Sequence, residues 1–369
     1  MRATIWVLTG LSLAVTITLR LRGGDRTVML ARLWVVLTAT LLSLLMASTL
    51  TLLVGGSPLE VYRLLVAGTW GNTYAIGQVL FKATPLALAG LSFTIASRAG
   101  LFNIGIEGQL ILGAFAMALV GAHLPGAPWL VVPACLVAGA AAGAVPAALA
   151  GVFKATRGAN EVITTMMLNF IIYAAMASVG PAYFMRESVH TSPIRAAAQL
   201  ARLEAFFPSL HGSAVSLAVV LPPLAALFVG WLLWRTPLGF SLRALGLGPD
   251  TAEASGVRTG RATILAMALS GAMAGLVGAS FVLGYKRYYE GGFSGGIGFM
   301  GIAVGVLGGT RPLGVLAAAL AFGTLSQGAL AINAVVPKDL VDVLQATVIF
   351  AVVAASPAAR RLFRTTEVG

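Results

Sequence analysis

Long apolar segments recur along almost the whole sequence, and they restrict the chain to a membrane. They fall near residues 3–19, 33–54, 80–97, 107–124, 129–152, 162–180, 214–234, 262–284, 299–310, 312–335 and 340–356. A helix of about 20 apolar residues crosses the hydrocarbon core of a bilayer. A soluble domain has no way to cover so much apolar surface when charged residues make up 10% of the chain. We therefore predict an all-α polytopic membrane protein with about 10–11 transmembrane helices.

One of these segments, 299–310, is too short to cross a bilayer alone. At about 1.5 Å per residue it would extend roughly 18 Å, against about 30 Å of hydrocarbon. Several glycines precede it, namely Gly291, Gly292, Gly295, Gly296 and Gly298. This pattern predicts a broken or re-entrant helix.

The distribution of basic residues indicates the topology. The formal net charge is +12, but the 24 basic residues are scattered between the apolar segments, and most of them lie in alternate connections. Lys and Arg are in excess on the cytoplasmic side of membrane proteins, so we place the stretch 236–260 and the tail 357–369 in the cytoplasm and the loop 181–213 outside. A nucleic-acid-binding protein would gather its basic residues in one patch. We therefore predict no nucleic-acid partner.

The N-terminal region allows two interpretations. Residues 1–32 form an N-terminal anchor or extension with a basic cytoplasmic linker, ahead of a transmembrane domain at residues 33–356. Met1 and Arg2 precede an apolar stretch, as in a signal peptide, but no small-residue cleavage site precedes Arg20. The alternative is that translation begins at Met29.

Glycines four residues apart predict close helix contacts. The pairs are Gly139 with Gly143 and Gly271 with Gly275, and the series is Gly301, Gly305 and Gly309. This spacing places small residues on one helix face, where backbones approach closely. The alternative interpretation is that some of them line an interface that slides during transport.

The run RAGLFNIGIEGQ, from Arg98 to Gln109, is polar for a chain of this composition. It combines glycines with Asn103, Glu107 and Gln109 between two apolar segments. Polar side chains at membrane depth are tolerated mainly where they face protein or a water-filled path, and broken helices often line such a path. We interpret the run as a candidate transport site. A second interpretation is that Asn103 caps the next helix and Glu107 stabilises its first turn.

A second polar group begins the segment 162–180. Asn160 and Glu161 allow the same two interpretations, capping of a helix or contact with a polar solute. Asn169 lies two turns inside the segment, where capping is impossible, so it should face another helix or the solute path.

Aromatic side chains lie close in sequence to these polar groups. The rings of Phe102, Phe170 and Tyr173 could stack on a nucleobase or a sugar, although such rings more often face lipid or pack inside the protein. The candidate residues of a substrate pathway are Phe102, Asn103, Glu107, Gln109, Asn160, Glu161 and Asn169.

The stretch 236–260 is the most polar part of the second half of the chain. Residues 241–247 and 251–255 can each form a short helix, with a turn at Gly248-Pro249-Asp250 between them and Gly256 after the second. Neither helix is long enough to cross a membrane. The stretch is either a solvated connector or a segment that docks on a cytoplasmic partner.

Enzymatic motifs are missing from the sequence. A phosphate-binding Walker loop requires Gly-x4-Gly-Lys-Ser/Thr, and no lysine of this chain is followed by Ser or Thr. The histidines His123, His190 and His211 are far apart and lack metal-ligand spacing. We therefore predict that the chain is not an enzyme and holds no metal.

Four blocks of the sequence resemble a known family. They are RAGLFNIGIEGQ, ANEVITTMMLNF at 159–170, the stretch 236–260, and GIGFMGIAVGVLGGTRPLG at 296–314. Together they resemble the permease subunits of bacterial ABC importers for nucleosides and simple sugars, within the superfamily of branched-chain amino-acid, ribose and galactose permeases. The first block is most similar to the nucleoside-type members. One departure is Met300, where relatives commonly have Asp.

The resemblance implies an ABC importer permease fold over residues 74–356 and a set of partners. These are a second related permease subunit, a cytoplasmic ABC ATPase, an extracytoplasmic solute-binding lipoprotein and a small-molecule solute. The charged outside loop 181–213 is a candidate contact for the lipoprotein. ATP would bind to the ATPase, and this chain would hold no cofactor. The stretch 236–260 would be the coupling loop, with ATPase contacts carried by Arg243, Gly246, Pro249, Glu253 and Gly256.

We therefore expect a multi-pass subunit in the bacterial cytoplasmic membrane that moves a nucleoside, or less readily a simple sugar, into the cell. Within the family, the alternative is a ribose- or galactose-type sugar permease. A stand-alone secondary nucleoside transporter would need intramembrane acids, for which Glu107 and Glu161 are the candidates. It would leave the stretch 236–260 without a role. A membrane scaffold or receptor would need no polar groups near helix breaks.

Overall fold

A computed structural model describes Leu45, Ser48, Thr49, Thr51, Leu52 and residues 57–333 of the chain. Two compact units divide the sequence, residues 1–69 with 325–369 and residues 70–324. The predicted segments 3–19 and 340–356 lie outside the described residues, as do most of 33–54 and the tail 357–369.

The described residues are mainly helical. The α-helices are α1 Pro58–Thr69, α2 Thr73–Arg98, α3 Ile106–His123, α4 Pro128–Arg157, α5 Glu161–Val179, α6 Leu221–Arg235, α7 Pro237–Leu247, α8 Pro249–Ala254, α9 Thr259–Gly275, α10 Ile297–Leu307 and α11 Pro312–Ile332. A 3-10 turn at Leu276–Gly278 and a π-helical turn at Ser280–Tyr285 extend α9.

Within the described ranges, 7 helical stretches are long and apolar enough to cross a membrane. They are Thr73–Arg98, Ile106–His123, Pro128–Arg157, Glu161–Tyr183, Leu217–Arg235, Thr259–Tyr285 and Pro312–Ile332. Each coincides with a predicted apolar segment, so the prediction of an all-α polytopic membrane protein is confirmed.

Helix α1 was not predicted from the sequence. Its 12 residues extend about 18 Å, and Glu60 and Arg63 interrupt its apolar pattern. In its own unit, Val61 packs with Ile332, and the side-chain amide of Gln327 donates a hydrogen bond to a backbone carbonyl of α1 (3.3 Å).

Local sequence explains where the spans begin and end. The side chain of Asn72 caps α2 by accepting a hydrogen bond from the backbone N–H of Ala75 (2.7 Å). Pro128 begins α4, where a missing N–H has no cost. Gly158 ends the same helix with a φ of 66°, which glycine adopts without strain.

Helices α4 and α9 touch through their glycines. Gly139 and Gly143 on α4 face Gly271 and Gly275 on α9. A Cβ on Gly275 would collide with the carbonyl oxygen of Gly139, and a Cβ on Gly143 would collide with that of Gly271. The two backbones are therefore in direct contact, which confirms the predicted packing role of these residues.

Helix α10 confirms the prediction of a broken helix at 299–310. It has 11 residues, or about 16 Å of length. The turn before it contains Gly292, Gly295 and Gly296 with φ values of 80°, 52° and 83°, a conformation that few other residues adopt. The chain therefore enters this helix through a tight glycine turn.

Helix α10 packs on α2 through its own glycines. Gly301 lies against Ala89 and Gly305 against Phe93, each too close for a Cβ. Gly309 is different, because it lies beyond the end of α10 with a φ of 64°. It forms the following turn, so the predicted series contributes two helix contacts rather than three.

The unit formed by residues 70–324 has a different structure at each of its two ends. One end carries α7 and α8, and the other carries the connection from α5 to α6, which consists mainly of single 3-10 turns. Each of these 3-10 turns has only three or four residues. The loop is fixed to the chain that follows α9, for example by hydrogen bonds from the N–H of Thr191 to the carbonyl of Tyr289 (2.9 Å) and from the N–H of Ile194 to that of Arg287 (2.8 Å).

Candidate functional site

The run from Arg98 to Gln109 forms a break between α2 and α3. Gly100 has a φ of 71°, which turns the chain after α2. Helix α3 begins after Gly105, which makes no side-chain capping bond. The interpretation of Asn103 as a cap holds only in part. Its Oδ1 accepts a hydrogen bond from the N–H of Gly105 (2.9 Å), the residue that precedes the helix, and none from the first turn itself.

Asn103 is fully buried and pairs with Gln109. Its Nδ2 donates to Oε1 of Gln109 (2.9 Å) and to Oγ of Ser270 on α9 (2.9 Å), while Nε2 of Gln109 donates back to Oδ1 of Asn103 (3.0 Å). Ser270 in turn donates to the backbone carbonyl of Ser92 on α2 (2.8 Å). This network joins α2, α3 and α9 in the interior, where unpaired polar groups would be costly.

Asn169 joins α5 to the same break. Its Oδ1 accepts a hydrogen bond from the N–H of Gly108 (2.9 Å), and its Nδ2 donates to the carbonyl of Ile104 (3.0 Å). One turn earlier, Oγ1 of Thr165 accepts from the N–H of Ile104 (3.2 Å). Asn169 thus faces another helix, as predicted, and it satisfies backbone groups that the break leaves free.

Glu107 holds the start of the short helix α10. Its side chain is buried, with Oε1 accepting from the N–H of Gly296 (3.2 Å) and Oε2 from the N–H of Gly298 (2.6 Å). A carboxylate at a helix N-terminus satisfies free N–H groups and complements the helix dipole. Glu107 lies in the first turn of α3, but its bonds are made to α10.

These side chains form one polar junction, which we define as Asn103, Glu107, Gln109, Asn169 and Ser270. The bonds of Asn169, of Glu107 and of Asn103 with Ser270 join parts of the protein that are distant in sequence. The junction can therefore fix the broken backbone between α2, α3, α5, α9 and α10 in one arrangement. Ser270 was not predicted from the sequence, because a hydroxyl in an apolar helix gives no distinct signal.

Asn160 and Glu161 lie at the connection between α4 and α5, and they do not belong to the polar junction. Oδ1 of Asn160 accepts from the N–H groups of Val162 (2.9 Å) and Ile163 (3.3 Å), so its capping role is confirmed. Oε2 of Glu161 pairs with Nζ of Lys154 at 2.6 Å. Both residues have local partners.

The aromatic candidates, unlike the junction, are exposed. Phe170 and Tyr173 lie on the open side of α5, with exposed fractions of 54% and 37% and ring centroids 6.4 Å apart. Phe102 is 38% exposed and contacts Phe93 edge-on. These rings form an accessible surface beside a polar junction that is itself closed.

The stretch 236–260 forms the two short helices that were predicted. The first, α7, begins at Pro237 rather than Ser241, because Thr236 caps it. Pro249 begins α8, and Gly256 ends this segment with a φ of 80°. Glu253 is exposed, whereas Nε of Arg243 is buried and has no hydrogen-bond partner among the described residues.

Gly246 connects α7 to the beginning of the polar run. A Cβ on Gly246 would collide with the carbonyl oxygen of Arg98 and lie 3.0 Å from the backbone nitrogen of Gly100. Nε of Arg98 donates to the carbonyl of Thr310 (2.8 Å), and its guanidinium lies 5.3 Å from the ring centroid of Trp234. Gly246 is therefore a packing position, and its contact with an ATPase stays a prediction.

The sequence is similar to a known family and to several known proteins. A family described as "Branched-chain amino acid transport system / permease component" matches residues 75–353. The chain is 34% identical over 324 residues to the guanosine ABC transporter permease protein NupP of Bacillus subtilis, covering 87% of this chain and 92% of the relative. It is 32% identical over 323 residues to the nucleoside ABC transporter permease protein NupB of Lactococcus lactis, covering 85% and 88%.

A relative named for a sugar is also similar. The chain is 30% identical over 306 residues to the glucose ABC transporter permease protein TsgB13 of Haloferax volcanii, covering 79% of each protein. No solved structure matches the chain.

Proposed function

The chain belongs to the branched-chain amino acid transport system permease family, and from that premise we propose that it imports nucleosides as the membrane subunit of an ABC transporter. The proposal of a nucleoside as substrate rests on the extent of the match. The two relatives named for nucleosides align with more of the chain than the one named for glucose. A simple sugar is the second candidate, favoured by the glucose relative.

The proposed partners follow from the family. They are a second related permease subunit, a cytoplasmic ATPase that binds ATP, and an extracytoplasmic binding lipoprotein. The proposed location is the bacterial cytoplasmic membrane, with α7 and α8 on the cytoplasmic side and the loop 181–213 outside. The excess of basic residues in the connections on the α7 side supports this orientation. The chain itself would hold no cofactor and hydrolyse no ATP.

The transport experiment measures uptake of radiolabelled nucleosides and ribose in cells that express the chain with its neighbouring transporter genes. A parallel strain carries a partner ATPase that cannot hydrolyse ATP. We expect nucleoside uptake that requires the active ATPase and is competed by unlabelled nucleoside but not by ribose. Uptake that survives in the parallel strain would reject an ABC importer, and ribose uptake alone would favour the sugar permease.

We further propose that the solute path runs along the exposed face of α5. The polar junction lies beside this part of α5, since Asn169 is bonded to the break, while the rings of Phe170 and Tyr173 on the same helix are exposed. Solute contacts would then come mainly from exposed rings, with the closed polar groups fixing their position. Aromatic rings stack on nucleobases with little dependence on base identity.

Phe170→Leu tests this path. Loss of one stacking ring is expected to raise the KM for nucleoside uptake by about fivefold or more, since stacking contributes roughly 1–3 kcal/mol per base. Phe153→Leu on α4 is the matched control, because Phe153 is a similarly exposed ring on another span. Equal KM values for the two variants would contradict the proposed path.

ATPase coupling is proposed to use the exposed face of α7. Phe240 and Leu247 are seven residues apart, on one side of the helix, and Leu247 is 90% exposed. The opposite side is buried through Leu242 and Leu245. Phe240 and Leu247 together give this side of a short helix outside the spans an apolar surface that a partner protein could cover.

Leu247→Asp is expected to reduce ATP-dependent uptake by about tenfold or more, because an unpaired carboxylate in an apolar contact is costly. Thr156→Asp, near the C-terminal end of α4, adds the same charge on the same side of the membrane as α7 and should leave uptake unchanged. Protein level is measured in both strains. Gly246→Arg is a poorer test, since the new side chain would displace α7 from the turn at Arg98–Gly100 whether or not an ATPase binds. Normal uptake by Leu247→Asp would reject this coupling surface.

A further inference from the structure

A cleft of about 520 Å³ lies at the end of the residue 70–324 unit that is opposite α7 and α8. Three basic side chains line it, Arg202, Lys286 and Arg287. The ring of Tyr285 and the small side chain of Ala205 also line it. We refer to this region as the basic cleft.

The cationic groups of the basic cleft are incompletely paired. Nε of Arg202 is buried without a hydrogen-bond partner, and its Nη1 lies 3.6 Å from Oε1 of Glu204. The exposed guanidinium of Arg287 has no acidic group within 4.0 Å in the part of the chain that the structure describes. Lys286 is paired with Glu290 at 2.9 Å. The cleft therefore has donors available for an anion.

Glu204 is the acidic residue among those that line the cleft, and its carboxylate also binds the backbone of the loop. Its Oε2 accepts a hydrogen bond from the N–H of Gly212 (2.9 Å). This bond, with a smaller contribution from Arg202, lowers the pKa of Glu204 below its ordinary value. The carboxylate stays charged but is bound to the loop, so it neutralises Arg202 only in part.

The position of the cleft indicates the source of the anion. Tyr285 ends the span Thr259–Tyr285, and the carbonyl of Ala201 accepts from the N–H of Leu217, the first residue of the span Leu217–Arg235. The cleft thus lies where two spans leave the bilayer. Phe206 and Phe207 are exposed a few residues further along the same loop, as aromatic rings often are at the membrane interface.

We propose that the basic cleft binds the phosphate of an anionic phospholipid headgroup. Arg202 and Arg287 supply charge-assisted hydrogen bonds to phosphate oxygens, and Lys286 adds positive charge beside them. Basic pockets between spans bind anionic headgroups on the cytoplasmic side of membranes, and the proposal extends the same chemistry to the outer leaflet. Free phosphate shares the chemistry, but a soluble ion gains nothing from the position of the cleft at the membrane surface. The inference requires only that the chain spans a membrane and is independent of the transported solute.

The test uses the full chain, purified in a neutral detergent with the subunits that remain bound to it. Phosphatidylglycerol is titrated and bound lipid is counted by native mass spectrometry, with phosphatidylcholine as the uncharged comparison. Ala205→Glu places a carboxylate in the cleft without removing any existing contact, and Ala205→Gln is its matched control. We expect phosphatidylglycerol to bind Ala205→Glu roughly fivefold more weakly than Ala205→Gln.

A second pair of variants removes charge instead. Arg287→Gln should weaken phosphatidylglycerol binding by a similar factor, whereas Arg186→Gln, in the connection from α5 to α6 and outside the cleft lining, should leave it unchanged. Equal binding by both members of each pair would overturn the proposal. Displacement of the lipid by inorganic phosphate at equal concentration would also overturn it, because the cleft would then be a site for the free ion.

Discussion

Gly275→Val is expected to abolish accumulation of the folded protein. A Cβ on Gly275 would collide with the carbonyl oxygen of Gly139 and lie 2.8 Å from its carbonyl carbon and 3.2 Å from the backbone nitrogen of Gly143. Backbone atoms in helices cannot rotate away, so α4 and α9 must separate. Overpacking that side chains can absorb costs about 1–3 kcal/mol, and this change should exceed that range. The measurement is the fraction of protein that elutes as a single species after extraction in mild detergent.

Gly230→Val is the matched control for this experiment. Gly230 lies inside the span of α6, and nothing lies within 4 Å of the position of its Cβ. The valine has the same helix propensity and the same size in both variants, so a difference between them reports the contact alone. Equal recovery of folded protein from the two variants would contradict the backbone contact between α4 and α9.

Glu107→Ala is expected to free the start of α10. Two backbone N–H groups, of Gly296 and Gly298, would lose their carboxylate partner inside the protein. A hydrogen bond to a charged group contributes about 1.5–3 kcal/mol, so amide hydrogen exchange in residues 291–300 should become about ten- to a hundredfold faster. Nucleoside uptake should fall as well. Glu107→Gln keeps one acceptor oxygen and should give an intermediate exchange rate.

Glu161→Ala provides the comparison for this variant. It also removes an acidic residue from the first turn of a span, but the partner of Glu161 is the partly exposed Lys154. Exchange in residues 291–300 should therefore stay as in the natural protein. If Glu107→Ala lost uptake while its exchange rate stayed normal, Glu107 would act on the solute directly rather than by holding α10.

The spans were predictable because apolar composition is a local property. The short helix α10 was predictable for the same reason, since its length and the glycines before it are read directly from the chain. Asn160 was predictable as a cap because its partners, Val162 and Ile163, follow it immediately. In each case the information lies within a few residues.

The partners of the polar junction were not predictable, because they are distant in sequence. Glu107 binds residues 189 and 191 positions away, and Asn103 binds Ser270, 167 positions away. The first turn of α3 offered Glu107 a plausible local role that the fold does not use. For Asn103, the bond that its Oδ1 accepts from the N–H of Gly105 is local, whereas its bond to Ser270 has no local signal.

The hydrogen-bond partners of hydroxyl groups inside the spans were also not predictable from the sequence. Thr84 and Thr94 on α2 each donate to the carbonyl four residues earlier, as is usual in apolar helices. Ser92 on the same helix instead donates to the carbonyl of Ser270 (2.7 Å). Nothing in the sequence distinguishes these cases, since all three lie among small and apolar residues. The packing of α2 against α9 decides which bond is made.

The contact between Gly246 and the turn at Gly100 couples any movement of α7 to the polar run. Two glycines in contact have no side-chain torsions, so no change of rotamer can absorb a displacement of α7. A shift of α7 must therefore either open a gap or move the backbone of the polar run with it. Interiors resist gaps because lost contacts are costly. The two segments should then respond in a single kinetic phase, without a delay between them.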